Sequence, residues 1–501
     1  MTGDRISRHR TAIHRSELSR PIRLALRDGI IGIDDDVLDY GCGHGDDLER
    51  LGALGIACRG WDPAHRPDGE RTPSHIVNVG YVINVIENPE ERTQVLRDCW
   101  ALAQSMLIVS ARLQHELRGE VLSPYGDGWL TKTGTFQKYY DQRELSQWID
   151  EVLGVQSVPA GPGVFYVFRD PGARETFVAS RFRPTRTRRV VQPVFERYKE
   201  LLEPLMEFLT ARGRLPDDSE IEQAGEIRTQ VGSVKRAFRI IAKATGPETW
   251  ARIREERAQD LLVYLALAKF SRRPAFSKLP HGLRLDVRGL LSTYKRACAQ
   301  ADALLFSAGN RQTVDGACRA SHVGKLTPSA LYIHQSALES LEPVLRIYEG
   351  CARVVVGSVE GANVIKLHRD APVVSYLQYP QFEDDPHPAL QASLLVDLQS
   401  LRVKYREYSE SENPPILHRK EEFVGPDHPL RETFANLTRQ EEDLGLYSDP
   451  KWIGTRNGWL GALKAKQVMI RRHECLVISE GLEPHCPASS NESAENRHTP
   501  G

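Results

Sequence analysis

Over the first 170 residues, short apolar runs alternate with amphipathic stretches. Ser19 to Ile31 gathers Ile22, Leu24, Ala25, Leu26 and Ile30 on one side, which predicts a helix. Val37 to Tyr40 reads as a short buried strand, followed at once by Gly-Cys-Gly-His-Gly. Asp46 to Leu54 predicts a helix with acids in its first turn, where the dipole favours them. Ala57 to Asp62 reads as a strand, the apolar run His75 to Ile86 as a longer one, Pro89 to Ala103 as a helix and Met106 to Ala111 as a strand. Gln142 to Leu153 predicts a helix, and Val155 to Pro159 with Val164 to Phe168 a closing hairpin. The alternation predicts an α/β domain over residues 1–172, with a mostly parallel sheet covered by helices and an antiparallel pair at the end.

The pattern then changes. Ser180 to Arg189 (SRFRPTRTRR) is the most basic segment and carries a helix-breaking proline, so 173–192 reads as an Arg-rich linker. Residues 193–322 read as helical: Val194, Tyr198, Leu201, Leu202, Leu205 and Leu209 make one face, and Asp217 with Glu220 has capping-box spacing for the next helix. Residues 323–482 read as α+β. Strands are expected at Ala330 to His334, Arg353 to Val359, Asn363 to His368 and Val373 to Tyr379; helices are expected at Ala389 to Leu401, His428 to Leu444 and Trp459 to Arg471. The polar stretch 483–501 is expected to be a disordered tail.

Length and composition narrow the classes. A chain of 501 residues suits two or three domains. A net charge of -1 gives no overall basic excess, so a nucleic-acid surface would need local clustering. No run of about 18 apolar residues exists to span a membrane. The eight cysteines, scattered through a large chain, fit reduced thiols in a cytoplasm.

The glycine triplet carries the chemistry. Asp39 ends the first strand; Gly41, Gly43 and Gly45 follow; Asp62 ends the second strand, 62 − 39 = 23 residues on. Glycines let a backbone approach a ligand, an acid at the first strand end accepts from an ammonium group, and an acid at the second accepts both hydroxyls of a ribose. This is the arrangement of a Rossmann-like class I methyltransferase domain that binds S-adenosyl-L-methionine. A structural turn and a dinucleotide site are the alternatives; G-x-G-x-G spacing and the preceding acid depart from the dinucleotide pattern. After Asp62 only about a dozen residues precede the next strand, so the strand and helix that usually cover an adenine look shortened. Trp61, Pro63, Asn78 and Val79 are the candidate adenine contacts.

The acceptor would dock where the His75 to Ile86 strand opens, which makes Asn84 (also a cofactor candidate) and Glu87 the candidate catalytic residues. No Asp/Asn-Pro-Pro-aromatic or Pro-Cys motif of DNA methyltransferases stands there; Asn413-Pro414-Pro415-Ile416, far downstream, reads as a turn. The segment Ser123 to Tyr140 reads as a lid hinged at Gly126 and Gly128, with Tyr125, Trp129, Phe136, Tyr139 and Tyr140 available to stack on a flat substrate or, alternatively, packed beneath the sheet. Arg186, Arg188 and Arg189, with Arg181 and Arg183, are candidates to grip phosphates; a solvated hinge is the plainer reading. Ile221 to Ile241 reads as a helical pair, or as a helix-turn-helix presenting Lys235, Arg236 and Arg239 to DNA. His473, Cys475, His485 and Cys486 cluster but make a poor zinc set, so no metal is expected.

The segments VLDYGCGHGDD, GWDP, VGYVINVIENPEER, GTFQKYYDQREL, YEGCAR, GANVIKLHRD and NPPILHRKE resemble the family of methyltransferases associated with DNA phosphorothioation. The resemblance covers nearly the whole chain. It implies a bacterial cytoplasm, a DNA modification or defence pathway, and DNA and proteins of the phosphorothioation system as partners. It supplies no catalytic residue.

Overall fold

A computed structural model describes residues 6–117, 122–182, 199–450 and 452–478. The first 180 residues form α1 (Arg20–Arg27), β1 (Asp36–Tyr40), α2 (Asp46–Ala53), β2 (Ala57–Trp61), β3 (Ser74–Gly80), α3 (Pro89–Leu102) and β4 (Ala103–Ser110). A small sheet of β5 (Ser123–Tyr125), β6 (Gly128–Leu130) and β7 (Phe136–Gln137) follows, then α4 (Gln142–Leu153), β8 (Val158–Gly161), β9 (Val164–Phe168) and α5 (Pro171–Ser180).

Six strands make the main sheet, in the order β2-β1-β3-β4-β9-β8. The first four are parallel and the last two antiparallel. This is a mixed α/β, Rossmann-like architecture. Its inner strands β1, β3, β4 and β9 are largely buried on both faces, which is why they read as apolar runs, whereas the edge strand β2 is not. Leu38, Val77, Val79, Leu107 and Val109 pack with Leu96 of α3 and Leu145 of α4. On the other face Val37, Ile76, Met106 and Ile108 pack with Ile22 and Leu24 of α1 and Leu51 of α2. Each such side chain contributes roughly 1.5–3 kcal/mol of transfer free energy. The bounds of α4 are those the pattern predicts, because Asp141 and Glu144 close a capping box and Gly154 (φ +69°) ends the helix.

Other elements differ from expectation. The third strand stops at Gly80, not Ile86; Tyr81 turns to φ +60°, and Ile83 and Ile86 are buried in the turn that follows. Residues 62–73 form turns and one bridge, so β3 is third in the chain and directly adjoins β1. The 173–192 linker is helical up to Ser180. Arg183, Arg186, Arg188 and Arg189 lie outside the described residues, as do Val194, Tyr198 and the 483–501 tail.

Helices run from Lys199–Arg212 through Ala224–Val231, Val234–Thr245, Pro247–Leu267, His281–Leu291 and Tyr294–Ala308 to Arg311–Ala320. The Asp217–Glu220 pair closes a turn ahead of the helix that starts at Ala224, not the helix itself. A second, antiparallel six-stranded sheet runs from Lys325–Leu326 through Ala330–His334, Val364–His368, Val373–Gln378 and Ala392–Asp397 to Val403–Glu407. Two expectations fail here. The Val354-Val355-Val356 run ends the helix Pro343–Val356, whose flanks are all packed, so burial overrides β propensity. Ala389 to Leu401 holds a strand: Ala392, Leu394 and Val396 are buried in alternation, a period of two.

The described residues group into two compact units. The first holds everything up to Tyr379 together with Gln391–Tyr408 and Glu422–His428. The second holds Pro380–Leu390, Ser409–Glu421 and the chain after Pro429. Its core is Ile416, Leu446, Ile453, Trp459 and Val468, with helices Arg431–Asp443 and Arg456–Ala465 and a hairpin of Val468–Arg471 and Glu474–Val477. The helix expected over Trp459 to Arg471 therefore ends at Ala465 and gives way to a strand. No described helix is long and apolar enough to cross a membrane.

Candidate functional site

A cavity of about 1280 Å3 opens at the carboxyl ends of β1, β2 and β3. The turn after β1 forms its floor. The amides of Gly41 and Cys42 both donate to the Trp61 carbonyl, at 2.7 and 3.2 Å, which ties the turn to the end of β2. Gly41 sits at φ +82°, and a Cβ there would lie 2.3 Å from Val82 Cγ2. Both the backbone angle and the space exclude a side chain.

Asp62 stands just past β2, on the cavity wall. Its Oδ2 accepts from the Gly43 amide at 3.1 Å, and its Oδ1 from the amides of Ala64 and His65, each at 2.9 Å. The glycine turn and the strand-end acid, separate in sequence, are thus locked together. These amides take three of its four acceptor sites, which leaves one, on Oδ2, for a ligand hydroxyl.

Several candidates are placed differently. Asp39 does not line the cavity: it is 5% exposed behind the turn, and its Oδ1 accepts from Asn78 Nδ2 at 2.8 Å. Burial, reinforced by the nearby Asp47, pushes its carboxyl up to about 7. Gly45 also lies off the cavity, at φ +88° ahead of α2. Among the adenine candidates Trp61 and Pro63 line the cavity, whereas Asn78 and Val79 are buried in the sheet. One face of Trp61 carries the Arg71 guanidinium at 4.5 Å. Cys42 lines the cavity too, and burial pushes its thiol up to about 12, so it stays protonated.

Residues 6–19 form a strap over the cavity that the sequence did not announce. The first-turn acids of α2 hold it: Asp46 accepts from the Arg15 amide at 2.6 Å and Asp47 from the Ser19 amide at 2.7 Å. Its other end meets the small sheet, where the Ser7 amide donates to the Gly134 carbonyl at 3.2 Å. His14 stacks on His44 with centroids 4.0 Å apart.

On the acceptor side, Asn84 and Glu87 both line the cavity. Glu87 is not a free base. Arg8 of the strap donates to it at 2.8 and 2.9 Å and holds its carboxyl below the usual range, while also bonding Glu91. Asn84 is 1% exposed, donates to Gln137 Oε1 at 3.0 Å, and keeps Oδ1 without a partner among the described residues. Tyr81 and Arg112, which sequence reasoning passed over, also line this side. The Tyr81 amide donates to Ser110, to its carbonyl at 3.0 Å and its hydroxyl at 3.1 Å, and so holds the residue at positive φ.

The expected lid is pinned. Asp127, at its tip, pairs with Arg92 at 2.7 Å and Lys138 at 3.0 Å, which holds its carboxyl down at about 2, Arg92 first. Phe136, Tyr139 and Tyr140 are buried, the packing alternative; Tyr125 is exposed and Trp129 half-buried. Arg181 turns inward, donating to the Pro159 carbonyl and lying 3.4 Å from Asp28. The Asn413-Pro-Pro-Ile segment is not the expected turn: it bends at Asn413, whose Oδ1 accepts from the Asn457 amide, and then runs extended, with Pro415 and Ile416 bridged to Thr455 and Ala389. His473 faces the Lys420 ammonium at 3.2 Å, His485 and Cys486 lie outside the described residues, and among the described residues no group of three metal-ligating side chains occurs.

No protein-family profile matches the chain, and no curated protein does. Among solved structures, the CcbJ methyltransferase from Streptomyces caelestis aligns with it over 94% of its own chain and 30% of this one. The identity is 14% and the TM-score 0.21, too low to bear on activity.

Proposed function

We propose that the first unit is an S-adenosyl-L-methionine-dependent methyltransferase. The observation that carries this is Asp62, a strand-end carboxylate held by three backbone amides, one from the glycine turn, at the mouth of the cavity. The residues present fit the cofactor: Asp62 would accept a ribose hydroxyl at its remaining site on Oδ2, and Gly41 leaves the space that a Cβ would fill. Sites for single ligands run to about 300–1,000 Å3, so this cavity leaves room for a second reactant. When bound, the cofactor supplies an electrophilic methyl group on a sulfonium. The protein contributes position: the Asn84 and Gln137 amides present polar groups on the acceptor side, Tyr81 is held there by Ser110, and the strap lines the opposite side. Glu87, occupied by Arg8, would take a proton only if the strap releases it.

As acceptor we propose DNA, within bacterial phosphorothioation. The support is the sequence resemblance described above. A second reading, a cofactor-sensing protein without transfer, is favoured by one observation: the two acceptor-side candidates are already engaged, Glu87 by Arg8 and Asn84 by Gln137. Calorimetric titration of the cofactor, followed by incubation of labelled cofactor with phosphorothioated and plain DNA, RNA and protein, separates the readings. Tight binding with label in DNA supports the proposal. Tight binding with no label anywhere selects the sensor, label in protein or RNA alone overturns the DNA acceptor, and no binding overturns both readings.

A further inference from the structure

Helix Val234–Thr245 carries four bases, Lys235, Arg236, Arg239 and Lys243, and no acid. Its buried side is fixed by packing. Ala237 and Ile241 are fully buried, and Phe238 meets Trp250 edge-on with centroids 5.9 Å apart. These residues share a core with Leu202, Leu205 and Leu209 of the helix Lys199–Arg212 and Ile227 of the helix Ala224–Val231. At about 100° per residue the four bases fall within an arc of about 100° on the other side. All four are exposed.

None of the four has an ion-pair partner among the described residues, although their neighbours do. Arg228 pairs with Asp218, Arg252 with Glu256 at 3.4 Å, and Arg214 with Glu220 and Asp286, each at 2.7 Å. Acids are available nearby, with Glu222 and Glu226 exposed on the preceding turn and helix, yet none is directed at this face. A row of like charges repels itself unless an external anion neutralises it.

The geometry of the row selects the anion. It forms no pocket that would enclose a single phosphate. It is a line of separate cations on a convex helix, running 243 − 235 = 8 residues, or about 12 Å. A DNA strand presents a phosphate about every 3.4 Å of helix axis, so a row of that length meets several of them. The entry fits as well: Gly232 (φ +98°) and Ser233 join the two helices in a two-residue turn, and the Ser233 hydroxyl accepts from the Arg236 amide at 3.1 Å. We infer that this face binds duplex DNA through its backbone phosphates. The acids of the preceding turn and helix mark one edge of the footprint.

The inference stands apart from the methyl-transfer reading, because no residue of the face lines the cavity. The test uses the full chain, a labelled duplex of mixed sequence and anisotropy across a salt series. With four phosphates neutralised, log affinity should fall with log salt with a slope of about 3.6, and the Lys235→Ala/Arg236→Ala/Arg239→Ala variant should lose about 2.7 of it. The Arg236→Lys/Arg239→Lys variant, which keeps the charges, should hold the wild-type slope. An unaltered slope in the alanine variant, no binding at low salt, or tighter binding to polyglutamate than to duplex would overturn the inference. The last result would assign the face to an acidic protein. Equal melting temperatures of variant and wild type confirm that a lost slope reports charge and not unfolding.

Discussion

Replacing Asp39 with Asn should make the protein more stable, and increasingly so as pH rises. The carboxyl is 5% exposed, has one hydrogen bond, from Asn78, and lies near the like charges of Asp47 and Asp62. Burial raises its pKa from 3.8 to about 7. Below pH 3.8 both folded and unfolded chains hold the proton and the group has no effect on stability. Above it the unfolded chain ionises first, so stability falls as pH rises toward 7 and is level beyond. The cost is about 2 kcal/mol at pH 5.5 and about 4 kcal/mol at pH 8, from about 1.36 kcal/mol per pH unit. An asparagine keeps an oxygen for Asn78 and carries no charge at either pH. The gap between variant and wild type should therefore widen by about 2 kcal/mol over that range. Spread over the roughly 400 residues of the first unit, that is about 2–3 °C in melting temperature. Scanning calorimetry of both proteins without ligand, at pH 5.5 and 8, reads it directly. A gap that stays constant with pH, or a variant less stable than wild type throughout, would refute the reasoning, because the carboxylate would then be stabilised where it lies.

Other consequences are simpler to measure. Asp62→Ala should weaken cofactor binding on the order of 100-fold by titration calorimetry, since a hydrogen bond to a charged group is lost together with the amide contacts that shape the turn. Asp62→Asn, which keeps an acceptor for the Gly43 amide, should recover part of that loss. Gly41→Ala should lower the melting temperature and abolish cofactor binding, and adding Val82→Ala should restore neither fully, because the positive φ alone costs about 1–2 kcal/mol. Arg8→Ala should release one end of the strap: cofactor exchange followed by stopped-flow fluorescence should quicken while the melting temperature holds.

What the sequence reveals here is what short-range chemistry writes. The strand, glycine turn and Asp62 lie within 62 − 36 + 1 = 27 residues, each is specified by its own residue type, and the structure joins the turn to Asp62. Helix α4 is legible because its two caps are local. Periodicity misleads where burial continues past an element: Ile83 and Ile86 are as apolar as the strand before them but pack from a turn. It misleads again where a β-branched run sits in a fully packed helix, as at Val354 to Val356. The strap was invisible because its register depends on partners remote in sequence. Arg8 and Glu87 are 79 residues apart, and nothing in either neighbourhood names the other. The aromatic segment showed which residues could stack but not that Phe136 and Tyr140 face inward, since no alternation governs a two-residue strand.

The interleaving of the two units along the chain has a consequence for synthesis. The strands Ala392–Asp397 and Val403–Glu407 complete the first unit's second sheet, yet they reach the ribosome exit only after Pro380–Leu390 of the other unit. Further on, Glu422 and Phe423 accept from the amides of Gly324 and His334, closing the sheet's far side. Until residue 397 has emerged, the nascent chain carries Val373–Gln378 as an open edge, the kind of edge that recruits other chains. A chain cut between 380 and 391 holds that state permanently, so nonsense mutations in this interval should yield aggregates and not a shorter folded protein.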